Sequence, residues 1–179
     1  IGKGLTLNLL LAVLNSNLFF YFIKNNSNSV RGGYFRYKPQ YVKEFPIPDN
    51  LIDESIKTVE KTVEVIKALT EGYVRIINAF QNYLQSQFTI EKLPKKLQTW
   101  HELEFGDFIK ELNKAIKKAG GEKLTKMDEM EWMEVFETKK AEAQTLKAQI
   151  DKTDAEIDAM VYELYGLSEE EIKIVEGAS

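Results

Sequence analysis

The residues able to do chemistry in this chain are few, and their types and spacing set narrow limits. Cysteine is absent and His101 is the single histidine. That excludes a disulfide framework, a thiolate nucleophile and a zinc site built from cysteines or several histidines. A nucleophilic triad would have to pass through His101, which stands between Trp100 and Glu102 with no orienting constellation nearby in sequence; it reads as a partly buried structural residue. Glu137-Thr138-Lys139 forms the E-x-K of a Mg²⁺-dependent nuclease, and Asp128 lies upstream. Such a site is normally built on a strand, whereas these residues fall in a predicted helix, so they read as a solvated helix face. Gly32-Gly33 is too short for a phosphate loop or a dinucleotide fingerprint, and no nucleophile elbow occurs. The expectation is a chain with no catalytic residue, no metal ligand and no cofactor of its own.

Charge points instead to binding. Residues 1–48 carry six basic side chains (Lys3, Lys24, Arg31, Arg36, Lys38 and Lys43) against one acid, Glu44, a net of +5. Residues 49–179 hold 18 basic and 27 acidic residues, a net of −9. A cationic segment joined to an acidic one implies a polyanionic partner for the first part alone. The simpler alternative is a basic stretch that is only a solvated face.

The elements that must position these charges change character near residue 50. Leu9, Leu10, Val13, Leu14, Leu18, Tyr21 and Phe22 recur at threes and fours, predicting one helix over about residues 8–25. Residues 5–23 approach the length of a membrane span, but Asn8, Asn15, Ser16 and Asn17 interrupt them, so they read as a buried helix. The polar run 25–29 breaks it. Tyr34, Phe35 and Tyr37 favour a strand, Pro39 opens a helical turn carrying Tyr41 and Val42, and Pro46 and Pro48 force an extended exit. Beyond residue 51 the pattern is helical. Ile52, Ile56, Val59, Val63, Ile66 and Leu69 form a heptad-like seam that continues through Tyr73, Phe80 and Leu84, with a break expected near Gly72. A helix from Phe105 to Ala119 is stopped by Gly120 and Gly121, and Thr125 with Asp128 starts a long helix ending at Gly166. The polar run 137–145 is expected to be exposed. Ser168, with Glu171 in the capping-box position, opens a short last helix.

At two places the pattern is more specific. Leu14, Asn15, Ser16 and Leu18, then Gly32, Gly33, Tyr34, Arg36 and Lys38, then Phe45, Pro46, Ile47 and Pro48 form an L-N-S-x-L, G-G-Y-x-R-x-K, F-P-I-P series. Near the end stands IDKTDAEIDAMVYELYGLSEEEIKIVEG. Both stretches resemble the C-terminal specificity region of TaqI-like adenine-N6 methyltransferases and type IIG restriction-modification enzymes. Together they cover about a third of the chain.

The resemblance implies a division of labour. Residues 1–50 would be the C-terminal part of a target-recognition domain, and residues 51–179 a helical spacer or bundle whose last helix docks back through Ile157, Val161 and Leu164. The implied partner is double-stranded DNA. The N-P-P-Y-like motif of the methyltransferase is absent here. That domain, with its S-adenosylmethionine, and any Mg²⁺-dependent nuclease would lie upstream; the start at Ile1 reads as a cut from a longer cytoplasmic protein. Arg31, Arg36, Lys38 and Lys43 would neutralise phosphates, and an arginine can address guanine edges bidentately. Gly32 and Gly33 would let backbone amides approach a phosphate. Tyr34 and Tyr37 would pack on sugars or support the loop, although strand aromatics ordinarily serve the core.

The expected fold class is mainly α: a small α+β remnant of a recognition domain followed by a long-helix bundle or coiled-coil arm. Two other readings stand beside this one. One is a stand-alone helical interaction or oligomerisation module, with the long helices offering a homodimer interface. The other places the family's nuclease activity in this region. No membrane partner is expected.

Overall fold

Where one helix is expected at the N-terminus, two form, because Ser16 competes for the backbone of its neighbours. In the computed structural model, which describes residues 6–30, 34–48 and 53–177, the Ser16 hydroxyl donates to the Val13 carbonyl at 2.7 Å and accepts from the Phe19 amide. Ser16 is thereby the N-cap of a new helix and leaves helical backbone with ψ 156°. The helices on either side, α1 (Leu7–Asn15) and α2 (Asn17–Asn26), are bent by 61°. Among the described residues no single helix is long and apolar enough to cross a membrane, though this bent pair together has the necessary length and composition.

The protein is mainly α-helical. After α2 come two short strands, β1 (Ser29–Val30) and β2 (Tyr34–Phe35), paired antiparallel with Ser29 opposite Phe35 and Val30 opposite Tyr34. Then follow α3 (Pro39–Lys43), α4 (Asp53–Phe88), α5 (Lys95–Gln98), a 3₁₀ turn at Trp100–Glu102, α6 (Phe105–Lys118), α7 (Lys126–Tyr165) and α8 (Glu169–Glu176). Pro39 stands in the first turn of α3, where its missing N–H costs nothing. Thr125 and Asp128 bond reciprocally at the start of α7, and Ser168 with Glu171 closes a full capping box on α8. Gly120 and Gly166 take positive φ, +88° and +66°, as the residues leaving α6 and α7 must.

Two expectations within the long helices are corrected. α4 runs through Gly72 without interruption; the seam on both sides is apolar, and packing outweighs the roughly 1 kcal/mol that a helical glycine costs. The polar run 137–145 is not wholly exposed: Lys140 and Ala143 are buried. Both lie on the face of Phe136, four and seven residues on, so helical period overrides composition. Lys140 keeps its ammonium 2.9 Å from Glu104 and 5.8 Å from the Phe136 ring centre, a stem buried and a charged tip satisfied.

The chain divides into two compact units. One comprises Ile1–Lys67 and Asp151–Ser179, the other Ala68–Ile150, so α4 and α7 each contribute to both. The first unit has a core in which Leu9, Val13, Phe19 and Ile23 pack with Phe45, Ile56, Val59 and Val63 and with Ile157 and Val161. The turns of α7 around Ile157 and Val161 thereby share one core with α1 and α2. The second unit is centred on Trp100, Phe108 and Phe136, all fully buried, with Phe108 and Phe136 stacked at 4.5 Å.

Candidate functional site

Phe45 fixes the segment that carries the candidate residues. It is buried in the first unit, edge-on to Phe19 and to Phe22 at 5.0 Å each, and 5.6 Å from Tyr165. Directly after it, the Tyr165 hydroxyl donates to the Pro46 carbonyl at 2.9 Å. Burial pushes the Tyr165 phenol well above the ordinary tyrosine range, so it stays a donor. At the other end of the segment, Phe35 is half-buried against the same core and edge-on to Phe20 at 5.9 Å. The stretch 36–44 is thus pinned by aromatic side chains on both sides.

Between those anchors the surface is cationic. Arg36, Lys38 and Lys43 are all exposed. Lys38 precedes α3 and Lys43 stands in its last turn, where a cation is favoured by the helix's negative end. Among the described residues none of the three is engaged in an ion pair, and Glu44, the one acid of this region, is itself exposed. Arg31, Gly32 and Gly33, the other residues expected to contribute, lie outside the described residues.

The two tyrosines do not serve the core. Tyr34 is 74% exposed and Tyr37 54%. The reason is the two-residue alternation of an extended chain: Phe35 takes the inward position of β2, which leaves Tyr34 facing out. Tyr37 keeps only an oblique contact with Phe19, at 5.9 Å between ring centres. Two aromatic rings and three cations are therefore exposed along residues 34–43, a composition suited to phosphate and sugar.

The residues weighed for catalysis are placed apart. His101 is half-buried in the second unit, its Nε2 2.8 Å from the Tyr73 hydroxyl, with Tyr73 and Trp100 edge-on. Burial lowers its pKa, against an opposing effect of Glu102, and its buried Nδ1 has no hydrogen-bond partner among the described residues. Among the described residues no carboxylate is hydrogen-bonded to the ring. Asp128 is occupied by the Thr125 cap, and Lys139 pairs with Glu142 at 2.8 Å. Among the described residues no three His, Asp or Glu side chains are grouped to hold a metal.

Sequence reasoning missed a second cationic feature. A cleft of about 910 Å³ in the second unit is lined by residues 89–95 and 98 and by the end of α6, and it carries Lys92, Lys95 and Lys118. The signal is visible only locally: residues 92–126 hold nine lysines against five acids, which the net acidity of the rest conceals.

Comparison with known proteins places the chain in a group but attaches no activity to it. No curated protein and no solved structure matches it. The model of one family, a domain of unknown function designated DUF8810, matches residues 52–161. That stretch includes the whole of the second unit and the cleft, and excludes Arg36, Lys38 and Lys43. The chain belongs to the DUF8810 family.

Proposed function

We propose that this chain is a DNA sequence-recognition and scaffolding region of a type IIG-like restriction-modification enzyme. It acts beside an adenine-N6 methyltransferase that uses S-adenosylmethionine, and it does no catalysis itself. The observation that carries this reading is the exposed set Arg36, Lys38 and Lys43, without an ion pair among the described residues and mounted with Tyr34 and Tyr37 on a segment anchored by Phe35 and Phe45. Cations sealed against the protein's own carboxylates would be useless for phosphate contact; these are available. In keeping with it, the two stretches that carry the resemblance share one core, to which Phe19 and Phe45 belong together with Ile157 and Val161, and Phe45 lies 5.6 Å from Tyr165.

In this reading the segment contacts double-stranded DNA, with Arg36 on phosphate or on a guanine edge and the lysines on phosphates. α4 and α7 serve as supports. The test is titration of a duplex with the wild-type protein and with Arg36→Ala at two salt concentrations. Removing a single phosphate contact should flatten the dependence of log affinity on log salt by about 0.9. Unchanged affinity at both concentrations would overturn the assignment of this segment to DNA contact.

A second reading, an interaction module, is favoured by a different observation. Met127, Met130 and Met133 are 70%, 69% and 48% exposed on successive turns of α7, the adaptable kind of side chain that protein partners use. Sedimentation of the purified chain over a range of concentrations distinguishes self-association from a monomer.

A further inference from the structure

The loop that lines the second unit's cleft is held more firmly than its position on the surface requires. Ile90, Leu93 and Leu97 are buried in the core beneath it. Gln85 donates its side-chain amide to the Ile90 and Glu91 carbonyls at 3.3 and 3.0 Å, and Gln98 donates to the Leu93 carbonyl at 2.9 Å. Gln81 in turn donates to the Gln98 carbonyl at 2.7 Å. Three glutamines thus brace a short loop whose backbone would otherwise look to water for partners.

What this frame presents is a net positive charge, three lysines against one acid in the lining. Lys92 is exposed on the braced loop, Lys95 at the start of α5 and Lys118 on the last turn of α6, and among the described residues none of them has an ion-pair partner. The nearby acid on α6 is already committed: Glu111 pairs with Lys114 at 2.9 Å and Lys96 at 3.5 Å, neither of which lines the cleft. Glu91 is the one acid among the lining residues. The floor is apolar, with Leu93, Pro94 and Ala115. Cations held apart on a rigid rim above an apolar floor favour a ligand with fixed negative charge and some hydrophobic surface.

We propose that this cleft is a second phosphate-binding site, and that it takes phosphodiester groups of DNA independently of the 34–43 segment. This rests on the DNA-binding reading given above. Lys92 and Lys95 carry the larger share, because part of the Lys118 charge is spent on the negative end of α6.

The experiment uses the full chain, a short duplex of mixed sequence and a salt series. Lys92→Gln with Lys95→Gln should flatten the log–log salt slope by about 2 and weaken binding at low salt roughly tenfold or more. Adding Lys118→Gln should flatten it by less than one further unit. A charge-matched control, Lys57→Gln with Lys123→Gln, should leave the slope near wild type. All these side chains are exposed, and circular dichroism checks that the variants fold. A flat response of the cleft variants beside weakened binding by Arg36→Ala overturns the cleft and leaves the first reading intact. Weakened binding by the cleft variants beside an unchanged Arg36→Ala keeps the cleft and overturns the role of the 34–43 segment. Saturable binding of a free mononucleotide at the cleft that duplex DNA does not displace overturns the phosphodiester assignment.

Discussion

Asn17 and Asp158 meet across 141 residues of sequence: the Asp158 carboxylate accepts the Asn17 backbone N–H at 2.8 Å and its side-chain amide at 2.9 Å. Asn17 is the first residue of α2, so its N–H is one of those a helix leaves without an internal partner. The carboxylate that satisfies it comes from a late turn of α7. Burial raises the Asp158 pKa, while the Asn17 backbone bond works the other way. Asp158 is therefore a polar clamp between the start and the end of the chain in the first unit. Asp158→Ala leaves both donors of Asn17 half-buried and unpaired, and should destabilise that unit by about 1–3 kcal/mol. Urea unfolding followed by circular dichroism measures it. An effect near zero would mean that water replaces the carboxylate at no cost.

Gly72 offers a change in the opposite direction. It lies in the interior of α4, and a Cβ there would meet the Leu146 Cδ1 at 3.7 Å, an ordinary contact. Gly72→Ala should therefore stabilise the protein by roughly 0.5–1 kcal/mol, through the smaller backbone entropy of the unfolded chain. Thermal unfolding reads it as a rise in Tm. Gly121 is the contrasting control, since a Cβ there would stand 2.9 Å from the Ile116 Cγ2 and force a shift.

How much of this was legible in the sequence depended on whether the signal was local. The capped starts at Thr125 and Ser168, the proline turn at Pro39 and the glycine ends at Gly120 and Gly166 are all written within four residues, and all were readable. The bend at Ser16 was not: a serine inside an apolar run is compatible with a continuous helix until its hydroxyl chooses the Phe19 amide. The burial of Lys140 needs Glu104 and Phe136 from elsewhere in the chain. Of the candidate residues, the exposure of Tyr34 follows from alternation with Phe35, but which of the two faces inward is decided by Phe20. The cleft was hidden for the same reason. Lys92, Lys95 and Lys118 are separated by up to 26 positions, and only the return of α6 brings them to one rim.

Thr89 turns the chain out of α4 at φ +51°, in the left-handed region, where a β-branched side chain is poorly accommodated. The next amide, Ile90, donates to the Gln85 carbonyl at 2.9 Å, closing the helix end. The strain is held by the buried Ile90 and Leu93 that follow. Thr89→Gly removes the Cβ clash and should stabilise the second unit by about 1 kcal/mol. Thr89→Pro, which cannot reach positive φ, should destabilise it by more than that. Urea midpoints of the two variants should move in opposite directions; movement of both to lower urea would show that the threonine is needed for its contacts instead.

His101 gives the second unit a pH dependence of definite sign. Its ring sits against Trp100 and Tyr73, with Nε2 at the Tyr73 hydroxyl and a buried Nδ1 that has no acceptor among the described residues. An imidazolium must donate from both nitrogens, so burial disfavours the charged form and lowers the pKa from its ordinary value of 6.5. Between that value and the lowered one the unfolded chain binds more protons than the folded protein. Stability should therefore be highest above about pH 6.5, fall as the pH drops through that value, and level off once the folded His101 is itself protonated. Urea unfolding of the wild type at about pH 7.5 and about pH 5.8 should show this loss, in a range where ordinary carboxylates have barely begun to titrate. His101→Phe removes the titrating group and keeps a ring between Trp100 and Tyr73, so its stability should change less between the same two conditions. An equal loss in both proteins would assign the effect to other groups, and an increase in the wild type on acidification would reverse the sign argued here.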